Sequence, residues 1–132
     1  IDEANEKIEK DKIIDIIKSE PKQFQIVLYS IIKLLEKNSN PQTRLLQKKE
    51  NIIFTGDVYN FYKDLCLKNK FEILTQRRIS DIIQEFDMLG IINVKVISKG
   101  RGGRMREIKL AITDNLVQKV KIIIEESLNN KF

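Results

Sequence analysis

Two groups of side chains in this 132-residue sequence have types and spacings that could do chemistry on a nucleic acid. The first lies between Thr75 and Leu89, where Arg77, Ser80, Asp81, Gln84 and Met88 share one side of a helical wheel, with Gln76 and Arg78 at its flanks. Arginine can bridge O6 and N7 of guanine, and glutamine can pair with N6 and N7 of adenine. Arg77 and Gln84 are therefore the candidates for reading bases, and Gln76 and Arg78 are placed for phosphates. The second group is Lys99-Gly100-Arg101-Gly102-Gly103-Arg104, with Arg106 beyond it. Here cations crowd around glycines that let a backbone approach a phosphate or enter a narrow groove. Each group has a plainer alternative: a solvated polar helix face for the first, and a turn whose arginines face water for the second.

Other chemistries are excluded or weak. There is one cysteine, Cys66, and no histidine, so neither a disulfide, a Cys/His zinc site nor a Ser-His-Asp triad can form within the chain. The glycine cluster is not followed by Lys-Ser or Lys-Thr, which a phosphate-binding loop requires. Asp81, Glu85 and Asp87 could pair as acid and base, but on a charged helix they read as solvated groups. Tyr29, Tyr59 and Tyr62 could offer rings for base stacking, yet Tyr62 falls at core spacing, and Cys66 reads as a small core residue. No catalytic residue, metal ligand or cofactor is expected.

The charge balance points the same way. Lys and Arg outnumber Asp and Glu by 24 to 19, for a net +5, which favours anionic partners. The charge is also uneven, with −3 over residues 1–20, +4 over 21–50 and +5 over 95–109. Arg44, Lys48 and Lys49 form a second basic cluster, read either as an extension of a backbone footprint or as a solubilising loop. No apolar run is long enough to span a membrane, and the acidic N-terminus is unlike a signal peptide. A soluble, cytoplasmic, nucleoid-associated protein is expected. The absence of an initiator methionine at Ile1 suggests that something upstream has been removed.

The elements that must position these residues follow from periodicity. Residues 2–18 read as a terminal helix, separate from the core and ended by Ser19-Glu20-Pro21. Phe24, Val27, Leu28, Ile31, Ile32 and Leu35 make one stripe of a first core helix that ends near Asn38-Ser39-Asn40-Pro41. A polar loop and a brief strand at Ile52-Ile53-Phe54 come next. Thr55 or Asp57 can cap a second helix with Val58, Phe61, Tyr62 and Leu65 inward. Thr75 can cap a third, with Ile79, Ile82, Ile83, Phe86 and Leu89 inward and Gly90 as terminator. Strands are expected at Ile91–Ser98 and Met105–Ile112, and Thr113 or Asp114 starts a last helix with Leu116, Val117, Val120, Ile123, Ile124 and Leu128 inward. The fold class is α+β and mainly helical: a winged helix-turn-helix with a β-hairpin wing, preceded by one extra N-terminal helix. Residues 1–19 are assigned to the end of a preceding helical segment and 20–132 to the winged-helix domain.

Residues 55–59 (Thr-Gly-Asp-Val-Tyr), 74–83 (Leu-Thr-Gln-Arg-Arg-Ile-Ser-Asp-Ile-Ile), 88–92 (Met-Leu-Gly-Ile-Ile) and 100–104 (Gly-Arg-Gly-Gly-Arg) together resemble the archaeal replication-initiator family related to origin recognition complex subunit one and cell division control protein six. The resemblance spans about residues 20–112, and the family often has Leu-Pro where this chain has Glu20-Pro21. It implies a C-terminal winged helix that follows an ATPase module and a helical lid and binds double-stranded origin DNA. Helix 75–89 would enter the major groove through Thr75, Gln76, Arg77, Arg78, Ser80, Asp81 and Gln84. The wing would enter the adjacent minor groove through Lys99, Arg101, Gly102, Gly103, Arg104 and Arg106. The replicative helicase and other initiator subunits are further implied partners, residues 1–18 would be the tail of the lid, and the ATPase motifs are absent from this chain. The isolated chain is expected to be a monomer. The rival readings are a winged helix that contacts protein, a dimeric transcriptional repressor and, on the Arg-Gly cluster, an RNA binder.

Overall fold

The structure, a computed structural model, describes residues 2–38, 53–98 and 104–128. Helix α1 (Asp2–Ser19) meets the core at its C-terminal end: Ile17 is 1% exposed within the buried cluster, with Ile13 and Ile14 packed against it. This corrects the expectation of a helix separate from the core. The break at Ser19-Glu20-Pro21 redirects the chain without detaching it. The Gln25 amide donates to the Ile17 carbonyl at 2.9 Å and the Ser19 hydroxyl to that of Ile16 at 2.9 Å, satisfying carbonyls that a helix end leaves open.

Helix α2 (Lys22–Asn38) is the central element, packed on every later helix. Its sequence stripe understates this role, because residues 25–32 are buried on all sides. Burying polar groups in such a helix costs free energy unless each finds a partner, and each does. Gln25 accepts from the Ser127 hydroxyl at 2.8 Å, Ser30 donates to the Ile26 carbonyl at 2.8 Å, and Tyr29 donates to Glu125 at 2.8 Å.

Strand β1 (Ile53–Phe54) leads directly into α3 (Thr55–Asn69). The N-cap is Phe54, where Thr55 or Asp57 was expected. Asp57 lies one turn in, and its carboxylate accepts the Phe54 N–H at 3.2 Å, an interaction favoured at the positive end of the helix dipole. At the other end Lys70 is left-handed, with φ 58°, and the Phe71 N–H returns to the Cys66 carbonyl at 2.9 Å. Helix α4 (Gln76–Met88) ends in the same way but with glycine. Gly90 has φ 80°, its N–H donates to the Asp87 carbonyl at 3.1 Å, and the buried Ile91 donates to that of Phe86 at 3.1 Å, a Schellman closure. A lysine in this conformation carries a steric cost that glycine avoids, offset in part by glycine's greater entropy loss and by the favourable cation at a helix C-terminus. Lys70→Gly should accordingly raise stability by about 0.5–1 kcal/mol. A thermal melt showing no gain would mean that the strain is no larger than the entropy and dipole effects that oppose it.

Strands β2 (Ile92–Ser98) and β3 (Arg104–Leu110) pair antiparallel, and β1 adds to the other edge of β3, giving the order β1-β3-β2. The returning strand stops two residues before the expected Ile112, and Arg104 lies inside it, opposite Ser98. Thr113 then caps α5 (Asp114–Ser127), accepting the Leu116 N–H at 3.4 Å. Leu116, Val117, Val120, Ile124 and Leu128 are buried as expected, with Ile123 half-buried. The fold is that of the expected class, mostly helical with one small antiparallel sheet.

Candidate nucleic-acid interface

The inner side of α4 is formed by Ile79, Ile82, Ile83 and Phe86, and the Phe86 ring meets Phe24 of α2 edge-on at 5.9 Å. Helical geometry then fixes what faces out. Gln76, Arg77, Arg78, Asp81 and Gln84 are exposed, Ser80 is half-buried, and Met88 is 81% exposed. Thr75 is the N-cap, its hydroxyl accepting the Arg78 N–H at 3.2 Å. The structure thus brings all seven helix candidates into the first three turns of one face or its edge.

The first turn holds Gln76, Arg77 and Arg78 and no acidic residue. Cations at a helix N-terminus oppose the dipole and cost roughly 0.3–1 kcal/mol, so helix stability does not account for them. Among the described residues no carboxylate lies within ion-pair distance of either arginine. Of the acidic residues of α4, Asp81 is exposed on the same outer face and makes no ion pair among the described residues. Asp87, expected as a solvated charge, accepts the Val94 N–H at 3.3 Å and so ties the helix end to the hairpin. Glu85 is close enough to Glu20 that, after burial, its charge is the second cause raising the Glu20 carboxyl above the usual range.

Along the hairpin, Ile92, Val94 and Val96 of β2 lie opposite Leu110, Ile108 and Arg106 of β3. Successive residues alternate between faces, so Val96 and Arg106 continue the face that buries Ile92 and Ile108. They lie beyond the core: Val96 is 55% exposed and Arg106 is exposed as well. Glu107 points to the other face, is 8% exposed and lies 3.7 Å from the Lys109 ammonium, which leaves Arg106 without it. Lys95, opposite Glu107, adds an exposed cation that was not among the expected contacts. The alternation of Ile92, Val94 and Val96 in the sequence was the signal that could have placed both Lys95 and Val96. Lys99, Arg101, Gly102 and Gly103 at the tip, the side chain of Arg104, and Arg44, Lys48 and Lys49 lie outside the described residues.

Nothing else in the described structure competes for chemistry. Tyr29 and Tyr62 are buried, and burial is the main cause holding both phenols above their ordinary range. The half-buried Tyr59 donates to the Leu74 carbonyl at 3.3 Å, so the three tyrosines form no open stacking platform. Burial likewise pushes the Cys66 thiol up, away from the thiolate that would be reactive. Among the described residues no group of His, Cys, Asp or Glu could hold a metal ion, and no helix is long and apolar enough to cross a membrane.

An N-capped helix presented by a helix-turn-helix, followed by an antiparallel hairpin with a third short strand, defines a winged-helix domain. The family model described as the CDC6 C-terminal winged helix domain matches residues 15–120, and the chain belongs to that family. It is 47% identical over 117 residues to an ORC1-type DNA replication protein of Pyrococcus horikoshii, covering 89% of this chain and 25% of that protein. It is 47% identical over 110 residues to ORC1-type DNA replication protein 4 of Haloarcula marismortui, covering 83% and 19%. The chain therefore spans about a quarter of the length of such relatives, the winged-helix part. Among solved structures it resembles the Aeropyrum pernix ORC1 protein in complex with DNA, with a TM-score of 0.74 and 31% identity over 96% of this chain and 29% of that one. It also shares the fold of Cdc6p from Pyrobaculum aerophilum, with a TM-score of 0.61 and 17% identity over 87% and 26% of the two chains.

Proposed function

We propose that this chain binds double-stranded DNA at a replication origin, with the outer face of α4 in the major groove and the β2–β3 hairpin in the adjacent minor groove. The observation that carries the reading is the exposed Arg77 and Arg78 in the first turn of α4, unpaired among the described residues and set against the helix dipole. The similarity to an ORC1 protein solved in complex with DNA supports it. In this reading Arg77 and Gln84 meet base edges, while Gln76 and Arg78 meet phosphates. The wing contributes Lys99, Arg101, Arg104 and Arg106, with Gly102 and Gly103 allowing close approach. The chain would be the DNA-binding end of an initiator whose ATPase module and helical lid precede it and which positions the replicative helicase.

The test is duplex affinity across a salt series. Each phosphate contact releases counterions, so log affinity should fall linearly and steeply with log salt. The double substitution Arg101→Ala/Arg104→Ala keeps the glycines of the turn and should flatten that slope by roughly 1–2 units, with an unchanged melt. A folded double variant with the parental slope would favour a hairpin that faces protein.

A further inference from the structure

Residues 71–75, between α3 and α4, belong to no helix or strand, and side chains supply partners for their backbone. Gln23 of α2 donates through Nε2 to the Glu72 carbonyl at 2.9 Å. The Tyr62 hydroxyl donates to Gln23 Oε1 at 2.6 Å and accepts the Leu74 N–H at 2.9 Å. Tyr59 donates to the Leu74 carbonyl at 3.3 Å and stacks on Tyr62 with ring centroids 6.2 Å apart. Outside this trio, the Lys22 ammonium lies 4.4 Å from the Phe71 ring centre.

The Tyr62 side chain is fully buried, so its hydroxyl has little freedom to follow the loop, and the loop must conform to it. Both polar groups of Leu74 and the carbonyl of Glu72 are thereby fixed relative to α2 and α3. Leu74 directly precedes Thr75, the N-cap of α4, and Arg77 follows two residues later. A phenol is the group required here, because one oxygen must donate to Gln23 and accept from Leu74 at once. Phenylalanine would fill the same core space and abandon both bonds.

Resting on the DNA-binding reading above, we infer that Tyr62, clamped by Gln23 and supported by Tyr59, is a positioning residue: it sets where the first turn of α4 presents Gln76, Arg77 and Arg78, and so controls sequence discrimination without touching DNA. Binding groups must be held within about 0.5 Å of productive geometry, and losing the phenol removes the bonds that tie Leu74 to Gln23 through one oxygen.

The experiment uses the 132-residue chain and a duplex library with a randomised central segment. Enrichment by the parent chain yields a preferred duplex, and the measured quantity is its affinity relative to the unselected pool. In Tyr62→Phe this ratio should fall about tenfold, the scale of one weakened base contact, while the salt slope stays parental. Amide exchange at Leu74 and Arg78 should speed up. Val120→Ala on α5, which packs on α1 and α2, lowers stability elsewhere in the core and should leave the ratio intact. Gln23→Ala, at a half-buried position, should lower the ratio in the same direction and serves if Tyr62→Phe does not fold. A folded Tyr62→Phe or Gln23→Ala with the parental ratio overturns the positioning role. A parent chain that enriches no duplex overturns the DNA-reading function first, and this inference with it.

Discussion

Phe86→Ala should lower the stability of the domain by about 3–5 kcal/mol, the usual cost of truncating a buried phenylalanine. Phe86 is 1% exposed, lies on the inner stripe of α4 with Ile79, Ile82 and Ile83, and meets Phe24 of α2 edge to face. Its removal opens a cavity where α4 docks on the central helix, and the neighbours there can collapse only partly. For a chain of this length the loss corresponds to a fall of roughly 10–18 °C in melting temperature. DNA affinity should fall only to the extent that the folded fraction falls. An unchanged melt would mean that the helix is rotated from its observed phase, which would move Arg77 and Gln84 off the outer face as well.

That dependence explains why so much of the candidate interface was legible in the sequence. One apolar stripe, Ile79-Ile82-Ile83-Phe86, fixes the rotation of α4, so the outward residues follow by geometry alone. Thr75, Thr113 and Gly90 fix boundaries by local hydrogen bonding or backbone freedom, and local signals need no knowledge of the fold. What the sequence concealed is long-range. Nothing within α1 reveals that Ile17 is received by the core, because charges alternate along its sequence. Asp87 looked like one more helix charge because its partner, the Val94 N–H, is supplied by a strand whose register is set only when the hairpin forms. Tyr62 was readable as core, but its hydroxyl partners lie 39 residues before it and 12 after it in the chain. The start of α3 failed for a different reason: Thr55 and Asp57 could each have capped it, and β1 decided the matter by holding Phe54 extended.

Arg77→Ala should reduce discrimination between preferred and scrambled duplex by about 1–3 kcal/mol, the value of a bidentate guanine contact. Affinity for scrambled DNA should change much less, since a base-reading guanidinium contributes little to the sequence-independent phosphate term. Stability should move the other way. Arg77 is exposed at the positive end of α4, with no ion pair to lose among the described residues, so alanine removes a dipole conflict and gains up to roughly 0.3–1 kcal/mol in the melt. The opposed signs make the experiment diagnostic, because a residue kept for the fold would lose stability when removed. Arg78, one position on and rotated about 100° around the helix, is the internal comparison: Arg78→Ala should weaken preferred and scrambled duplex alike and lower the salt slope by roughly one unit. If Arg77→Ala weakens both duplexes equally, its guanidinium lies on the phosphate backbone, and base reading passes to Gln84 on the same face.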